Sequence, residues 1–241
     1  MHQRDKSIQF KEYGHVYNVN GNKNYTSVTT WVKNKFEKFD ADKIIDTMLA
    51  SPKWELNKYY NKTKQEIKDE WKVNGSNAAK QGTHMHKMCE DYYNNKCINS
   101  HQDTIEYTYF LDFIKDHDYL VPYRTEWMIY DENIKMAGSI DMVALNQDGT
   151  LSIYDWKRCK SIDKYNNFNK FSIDPSFTHI PDTNFWHYSL QLNMYKYMLE
   201  KNYNVSVSEM YLVCIHPELH HTYKKISSSN YRTIILCILY E

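Results

Sequence analysis

The chain has 241 residues, of which 41% are hydrophobic and 25% charged, the balance of a folded globular protein rather than a disordered or fibrous one. Its 30 lysines and arginines match its 30 aspartates and glutamates. Formal charge is therefore zero, which argues against a dedicated nucleic-acid coat protein and confines any nucleic-acid contact to a local patch. Cys89, Cys97, Cys159, Cys214 and Cys237 are odd in number and never spaced as CxxC, which argues against a zinc knuckle or disulfide framework and for a reducing compartment. No apolar run reaches the roughly 20 residues of a membrane span. Met1-His2-Gln3-Arg4-Asp5-Lys6 has no signal-peptide core, so an intracellular protein without a membrane partner is expected.

In chain order, His15-Val16-Tyr17-Asn18-Val19 and Asn24-Tyr25-Thr26-Ser27-Val28 flank Asn20-Gly21-Asn22-Lys23, which predicts a hairpin. Ser27 is placed to cap a helix carrying Trp31, Val32 and Phe36, and Asp40-Ala41-Asp42 to open another through Ile44, Ile45 and Met48. Ser51-Pro52 and Thr63-Lys64-Gln65-Glu66 read as further helix starts, the second a capping box, with Gly75 as a C-terminal stop. A separate helix is expected over about 77–94. It carries His86 and Glu90, four apart and so on one face, with His84 as an alternative to His86. Residues 104–117 form another helical pattern that would bury Ile105, Tyr109, Phe110 and Phe113. Arg124-Thr125-Glu126-Trp127-Met128-Ile129-Tyr130 alternates like a strand and offers Glu126 as a third carboxylate.

The central signal is a second hairpin, in which Gly138-Ser139-Ile140-Asp141-Met142-Val143-Ala144-Leu145 and Leu151-Ser152-Ile153-Tyr154-Asp155-Trp156-Lys157 flank an Asp148-Gly149 turn. A three-residue loop over 147–149, with Gly149 in the left-handed region, sets Leu145 opposite Leu151, Val143 opposite Ile153 and Asp141 opposite Asp155. Ser139, Asp141, Asp155 and Lys157 would then share one side; a two-residue loop would put the aspartates on opposite faces. Two facing carboxylates repel, so a positive group is expected between them. Lys157 and a divalent cation both qualify, and oxygen ligands on rigid strands suit magnesium or manganese.

Beyond Lys157 a polar segment containing Pro175 and Pro181 reaches Trp186, a length that marks a functional or mobile loop, in which Arg158, Lys160 and Lys164 offer charges for phosphates. A helix follows with Gln191 and Tyr195 four apart. Residues 210–216 read as a buried strand, 222–226 as an edge strand, and 233–239 as helix or strand.

Gly82-Thr83-x-x-His86-x-x-x-Glu90, Glu126 on a strand, Gly138-x-x-Asp141, Asp155-x-Lys157 and Gln191-x-x-x-Tyr195 occur in an order that resembles the PD-(D/E)XK nuclease superfamily. Within it they resemble the RecB-type branch, which includes the mitochondrial genome maintenance exonucleases. The resemblance covers residues 27–217, led in by Tyr25-Thr26-Ser27-Val28-Thr29-Thr30. It implies an α/β fold with a restriction-endonuclease-like core, a mixed central sheet flanked by helices and a mostly helical N-terminal third. Residues 1–241 would be one domain, with a helical elaboration at about 27–75 and a catalytic core at about 76–217.

The same resemblance implies that His86, Asp141, Asp155 and the backbone carbonyl of Trp156 bind catalytic Mg2+ or Mn2+. Lys157 would orient or activate the attacking water, with Gln191 and Tyr195 steadying the site and the nucleic-acid backbone, and Glu90, Glu126 and Arg158 in support. The implied activity is metal-dependent hydrolysis of DNA, by an exonuclease acting on single-stranded or end-bearing substrates. An RNA endonuclease on the same fold and a non-catalytic nucleic-acid-binding module are the alternatives. The cysteine pattern of the cluster-bearing members is missing, so no iron–sulfur cluster is expected. No helicase signature occurs, so any unwinding would come from a partner.

Overall fold

A computed structural model describes residues 2–228; the apolar segment 233–239 lies outside the described residues. Along the chain run β1 (Ile8–Lys11), β2 (Val16–Val19), β3 (Thr26–Ser27), α1 (Val28–Lys33), α2 (Ala41–Leu49), α3 (Lys64–Tyr93), α4 (Ile105–Asp116), β4 (Val121–Asp131), β5 (Met136–Leu145), β6 (Leu151–Lys157), α5 (Asn184–Asn202), β7 (Val207–Cys214) and β8 (Lys224–Ser227). The result is a mixed α/β protein in two units, residues 38–84 and residues 1–37 with 85–241. Among the described residues no helix is long and apolar enough to cross a membrane.

In the smaller unit α2 and the first part of α3 pack around Ile45, Tyr59 and Ile67. Asp40 caps α2 as expected, accepting from the Lys43 amide at 3.0 Å. The capping box also forms: the Thr63 amide donates to Glu66 Oε2 at 2.7 Å, and the Glu66 amide to Thr63 Oγ1 at 3.2 Å. Ser51-Pro52 opens no α-helix, only a 3-10 turn at Trp54–Leu56. The expected stop at Gly75 does not occur, because α3 runs unbroken from Lys64 to Tyr93 and contains the predicted 77–94 helix as its second part. A mid-helix glycine costs entropy but removes no hydrogen bond, so it weakens a helix without ending it.

The larger unit is organised by a six-stranded sheet in the order β3-β5-β6-β7-β8, with β4 on the other edge of β5. The first hairpin differs from expectation. Ile8↔Val19 through Lys11↔Val16 pair β1 with β2, while β3 leaves to lie parallel to β5 at Thr26↔Met136 and Ser27↔Ala137. The alternation of Ile8 and Phe10 supplies β2 with a partner on its other side, and Gly14 at φ +82° turns the chain between them. Ser27 then caps α1, accepting from the Thr30 amide at 3.0 Å, as its position predicted.

The central hairpin has the predicted register. Asn146 N–H donates to the Thr150 carbonyl at 2.9 Å, Gly149 sits at φ +81°, and Leu145↔Leu151 and Val143↔Ile153 face each other. β6 pairs in parallel with β7 as far as Lys157↔Cys214, the crossover being carried by α5, and β8 covers β7 antiparallel. One face of the sheet presents Ile140, Val143, Ile153 and Leu212 to α5 and α1. The other presents Met142, Ala144, Tyr154, Trp156 and Val213 to α4 and the part of α3 from Met85 onward. Phe110 and Phe113 of α4 are buried as predicted; Ile105 is half exposed, and Glu106 takes the inward position instead.

If α3 is continuous, Gly75→Ala should stabilise the chain by about 0.5–1 kcal/mol, because a Cβ there would meet nothing within 4 Å. Thermal melting checks this. A lower melting temperature would instead mean that the helix ends at Gly75 in a left-handed cap.

Candidate active site

The site begins with an opening in the sheet. β4 covers one edge of β5, whereas β3 and β6 share the other, β3 at Met136–Ala137 and β6 at Met142–Leu145. Among the described residues, 138–141 have no strand partner on that shared edge. Here the Asp141 carboxylate substitutes for a backbone acceptor, its Oδ2 receiving the Trp156 amide at 2.8 Å. The ring of Tyr195 enters beside Gly138, where an added Cβ would lie 2.6 Å from Tyr195 Cε1, so only glycine leaves room.

Opposite Asp141 on β4, Glu126 adopts φ +44°, a left-handed conformation costly for a residue with a side chain, between the pairs Thr125↔Met142 and Trp127↔Ile140. At this point the alternation of β5 slips by one. Val143 packs toward α5 and Met142 toward α4, yet Ile140 and Met136 again pack toward α5. Asp141 consequently meets α3 while Asp155 meets α5, so the four polar residues expected on one side approach the opening from two.

His86, on α3, places Nδ1 3.5 Å from Asp141 Oδ2. One ligand atom each from His86, Glu126 and Asp141 lie within 4.8 Å of one another. Ser139 Oγ donates to Glu126 Oε2 at 3.0 Å and fixes that carboxyl. Burial and the neighbouring Asp141 charge push the Glu126 pKa up to about 7, with Glu90 and Asp155 adding to the repulsion. An imidazole and two crowded carboxyls, one reluctant to ionise, are a donor set that a divalent cation fits and would relieve.

Beside them stands the pair Asp155 and Lys157, with Nζ 2.7 Å from Oδ2. Burial raises the Asp155 carboxyl, against the pull of Lys157, to about 6. Burial pulls the Lys157 ammonium down, but Asp155 and Asp141 more than offset it, and its pKa is pushed up to about 12. Lys157 is thus a cation at neutral pH, lying 4.6 Å over the Tyr188 ring. Gln191 Nε2 reaches Asp155 Oδ1 at 3.5 Å and the Tyr195 hydroxyl at 3.1 Å, which brings the predicted helix pair beside Asp155.

Other predicted residues are engaged elsewhere. Glu90 pairs with Lys87 at 2.9 Å, Lys160 with Glu218 at 2.6 Å, and Arg158 with the inward Glu106 at 2.7 Å. Trp156 offers its amide to Asp141, and its side chain packs edge-on against Phe110 and Phe113. His84 is exposed. Tyr17 went unrecognised in the sequence: burial raises its hydroxyl pKa to about 12, with Glu126 and Asp141 contributing, which sets it near both carboxyls. The only local signal was its inward position in an alternating strand.

No protein-family model matches this chain, and no curated protein does. The solved crystal structure of SSO0001 is similar over 90% of this chain and 74% of its own, with 12% identity and a TM-score of 0.35, a likeness too distant to bear on function.

Two outcomes follow from the geometry. Gly138→Ala should cost about 1–3 kcal/mol of stability by overpacking against Tyr195, measured by denaturant unfolding. In EDTA, unfolded Glu126 loses its proton near 4.5 whereas the folded carboxyl keeps it to about 7. Between those values the unfolded state binds fewer protons, so stability falls as pH rises. The melting temperature should therefore drop from about pH 5 to about pH 7.5, less steeply in Glu126→Gln, and added Mn2+ should restore it in the unmodified chain only.

Proposed function

We propose that this chain is a metal-dependent nuclease that hydrolyses DNA phosphodiester bonds, acting as an exonuclease on single-stranded or end-bearing DNA. The observation that supports it most is the convergence of His86, Glu126 and Asp141 next to the Asp155–Lys157 pair. Mg2+ or Mn2+ held by those three residues would polarise a phosphoryl oxygen and lower the pKa of a bound water, with the imidazole favouring manganese.

In this reading Lys157 works as a fixed cation rather than a base, since its neighbours keep it protonated. It would hold the scissile phosphate and offset charge that builds on the phosphoryl oxygens. Asp155 aims the ammonium, and Gln191 aims Asp155 while holding the Tyr195 hydroxyl. Exonuclease action and the preference for DNA come from the family resemblance of the motifs.

Degradation of end-labelled single-stranded DNA, with closed circular DNA and RNA alongside, tests the proposal in magnesium, manganese or EDTA. Cleavage of the linear DNA should require metal and fall by about 100-fold or more in Lys157→Ala. Cutting of the circle would overturn the exonuclease assignment, and cutting of RNA alone would overturn the choice of DNA. A folded chain that cuts none of these substrates but binds them is a nucleic-acid-binding module.

A further inference from the structure

We propose that Cys159 and Cys214 form an oxidation site, a thiol pair that closes to a disulfide and in doing so displaces Lys157; the displacement clause rests on the nuclease reading. The two sulfurs lie 3.2 Å apart. The Cys214 thiol also donates to the Cys159 carbonyl at 2.7 Å, so both the sulfur and the backbone of Cys159 are gathered onto Cys214.

The position of the pair gives it a consequence. Cys214 is the last residue of β7 and pairs in register with Lys157, where the Ile215 amide donates to the Lys157 carbonyl at 2.9 Å. Cys159 lies just beyond the end of β6, partly exposed, while Cys214 is buried. Cys214 and Cys159 pack into the same apolar cluster as Tyr188, over whose ring the Lys157 ammonium lies at 4.6 Å. Contact with Cys214 and burial hold the proton on Cys159 more strongly than Lys157 draws it off, so its oxidation is slow, whereas contact with Cys159 holds the Cys214 thiol below its ordinary range and readies it for the second step.

A hydroperoxide is the oxidant the chemistry calls for. The Cys159 sulfur attacks one oxygen of hydrogen peroxide, the O–O bond breaks, and hydroxide leaves and takes up the thiol proton as water, leaving a sulfenic acid. Cys214 then attacks that sulfur; the S–S bond forms, the S–O bond breaks, and a second water departs with the remaining proton. Two thiols have lost two hydrogens and two electrons, and one peroxide has become two waters. The sulfur separation contracts from 3.2 Å to about 2.05 Å, drawing the chain after Lys157 onto the end of β7. A shift of about 1 Å in a positioning group can cost about 100-fold in rate.

The test uses the full chain, treated with hydrogen peroxide, alkylated and mapped by peptide mass spectrometry, with cleavage of end-labelled single-stranded DNA in Mn2+ measured before and after dithiothreitol. The expected result is a Cys159–Cys214 linked peptide and a rate at least about tenfold lower, restored by dithiothreitol. Cys159→Ser should cleave at the unmodified rate and keep it in peroxide. Cys214→Ala, lacking the other sulfur, should resist in the same way. Alkylation of both residues under conditions that already oxidise the exposed Cys97 would overturn the site, and a linked protein cleaving at full rate would overturn the switch. A reduced chain that cuts no DNA brings down the nuclease reading and the displacement clause together, while the peptide map still decides whether the thiols pair.

Discussion

The parting of β5 from β6 is the constraint on which the rest of the site depends. A sheet normally satisfies its backbone groups by ladder bonds, and an unpaired buried amide costs about 1–3 kcal/mol. Where the ladder ends at Met142↔Tyr154, the Trp156 amide is instead taken by the Asp141 carboxylate. One bond therefore does two things. It closes the accounts of the parted strands, and it locks a carboxylate in the opening. Tyr195 can enter because position 138 is glycine, and it brings Gln191 of the same helix within reach of Asp155.

The charges of the opening are balanced unevenly, and that imbalance is what gives the site chemical potential. Asp155 has its own cation in Lys157, which Asp141 also reaches electrostatically. Asp141 has His86 beside it, whose imidazole carries a charge only when protonated, and Glu90, which adds to the repulsion at Glu126, is bound to Lys87. Glu126 is also held in a left-handed conformation within a strand, a cost of about 1–3 kcal/mol that the surrounding sheet must sustain. Strain and like-charge repulsion at one residue run against folding stability. They are understandable if the carboxyl is held ready for a cation that the chain itself does not supply.

What could be read from the sequence was whatever local chemistry dictates. Gly149 after Asp148 specified the loop, the loop specified the register, and the register set Leu145 opposite Leu151 and Val143 opposite Ile153, but the pairing ends at Met142 before Asp141 can face Asp155. Caps at Ser27, Asp40 and Thr63 were equally legible, because the capping side chain and its amide are close in sequence. The path of α3 through Gly75 was not, since a glycine can end a helix or merely weaken one, and the difference lies in φ rather than in composition. The inclusion of Glu126 with His86 and Asp141 was legible only as a possibility. It depends on the slip in alternation at Asp141, and nothing in Arg124-Thr125-Glu126-Trp127 announces a left-handed residue there. Tyr17 was hidden for a different reason: β1 and β2 had to be recognised as a hairpin before its inward side chain could be brought near the carboxyls.

The two aspartates of the hairpin end up with separate duties for the same reason that the strands part. Had β5 and β6 stayed paired past Met142, both carboxylates would face α5 and repel across one ladder position, with Lys157 shared between them. The slip at Glu126 turns Asp141 toward α3 and His86, leaving Asp155 to α5 and Lys157. Lys157 in turn is positioned from two directions, by its carboxylate partner and by the β6–β7 ladder that ends at Cys214. The ladder sets where the Lys157 side chain starts, and the Asp155 contact sets where its ammonium ends. The end of β7 therefore borders the candidate site, and the proposed Cys159–Cys214 link would act on the strand end that carries Lys157.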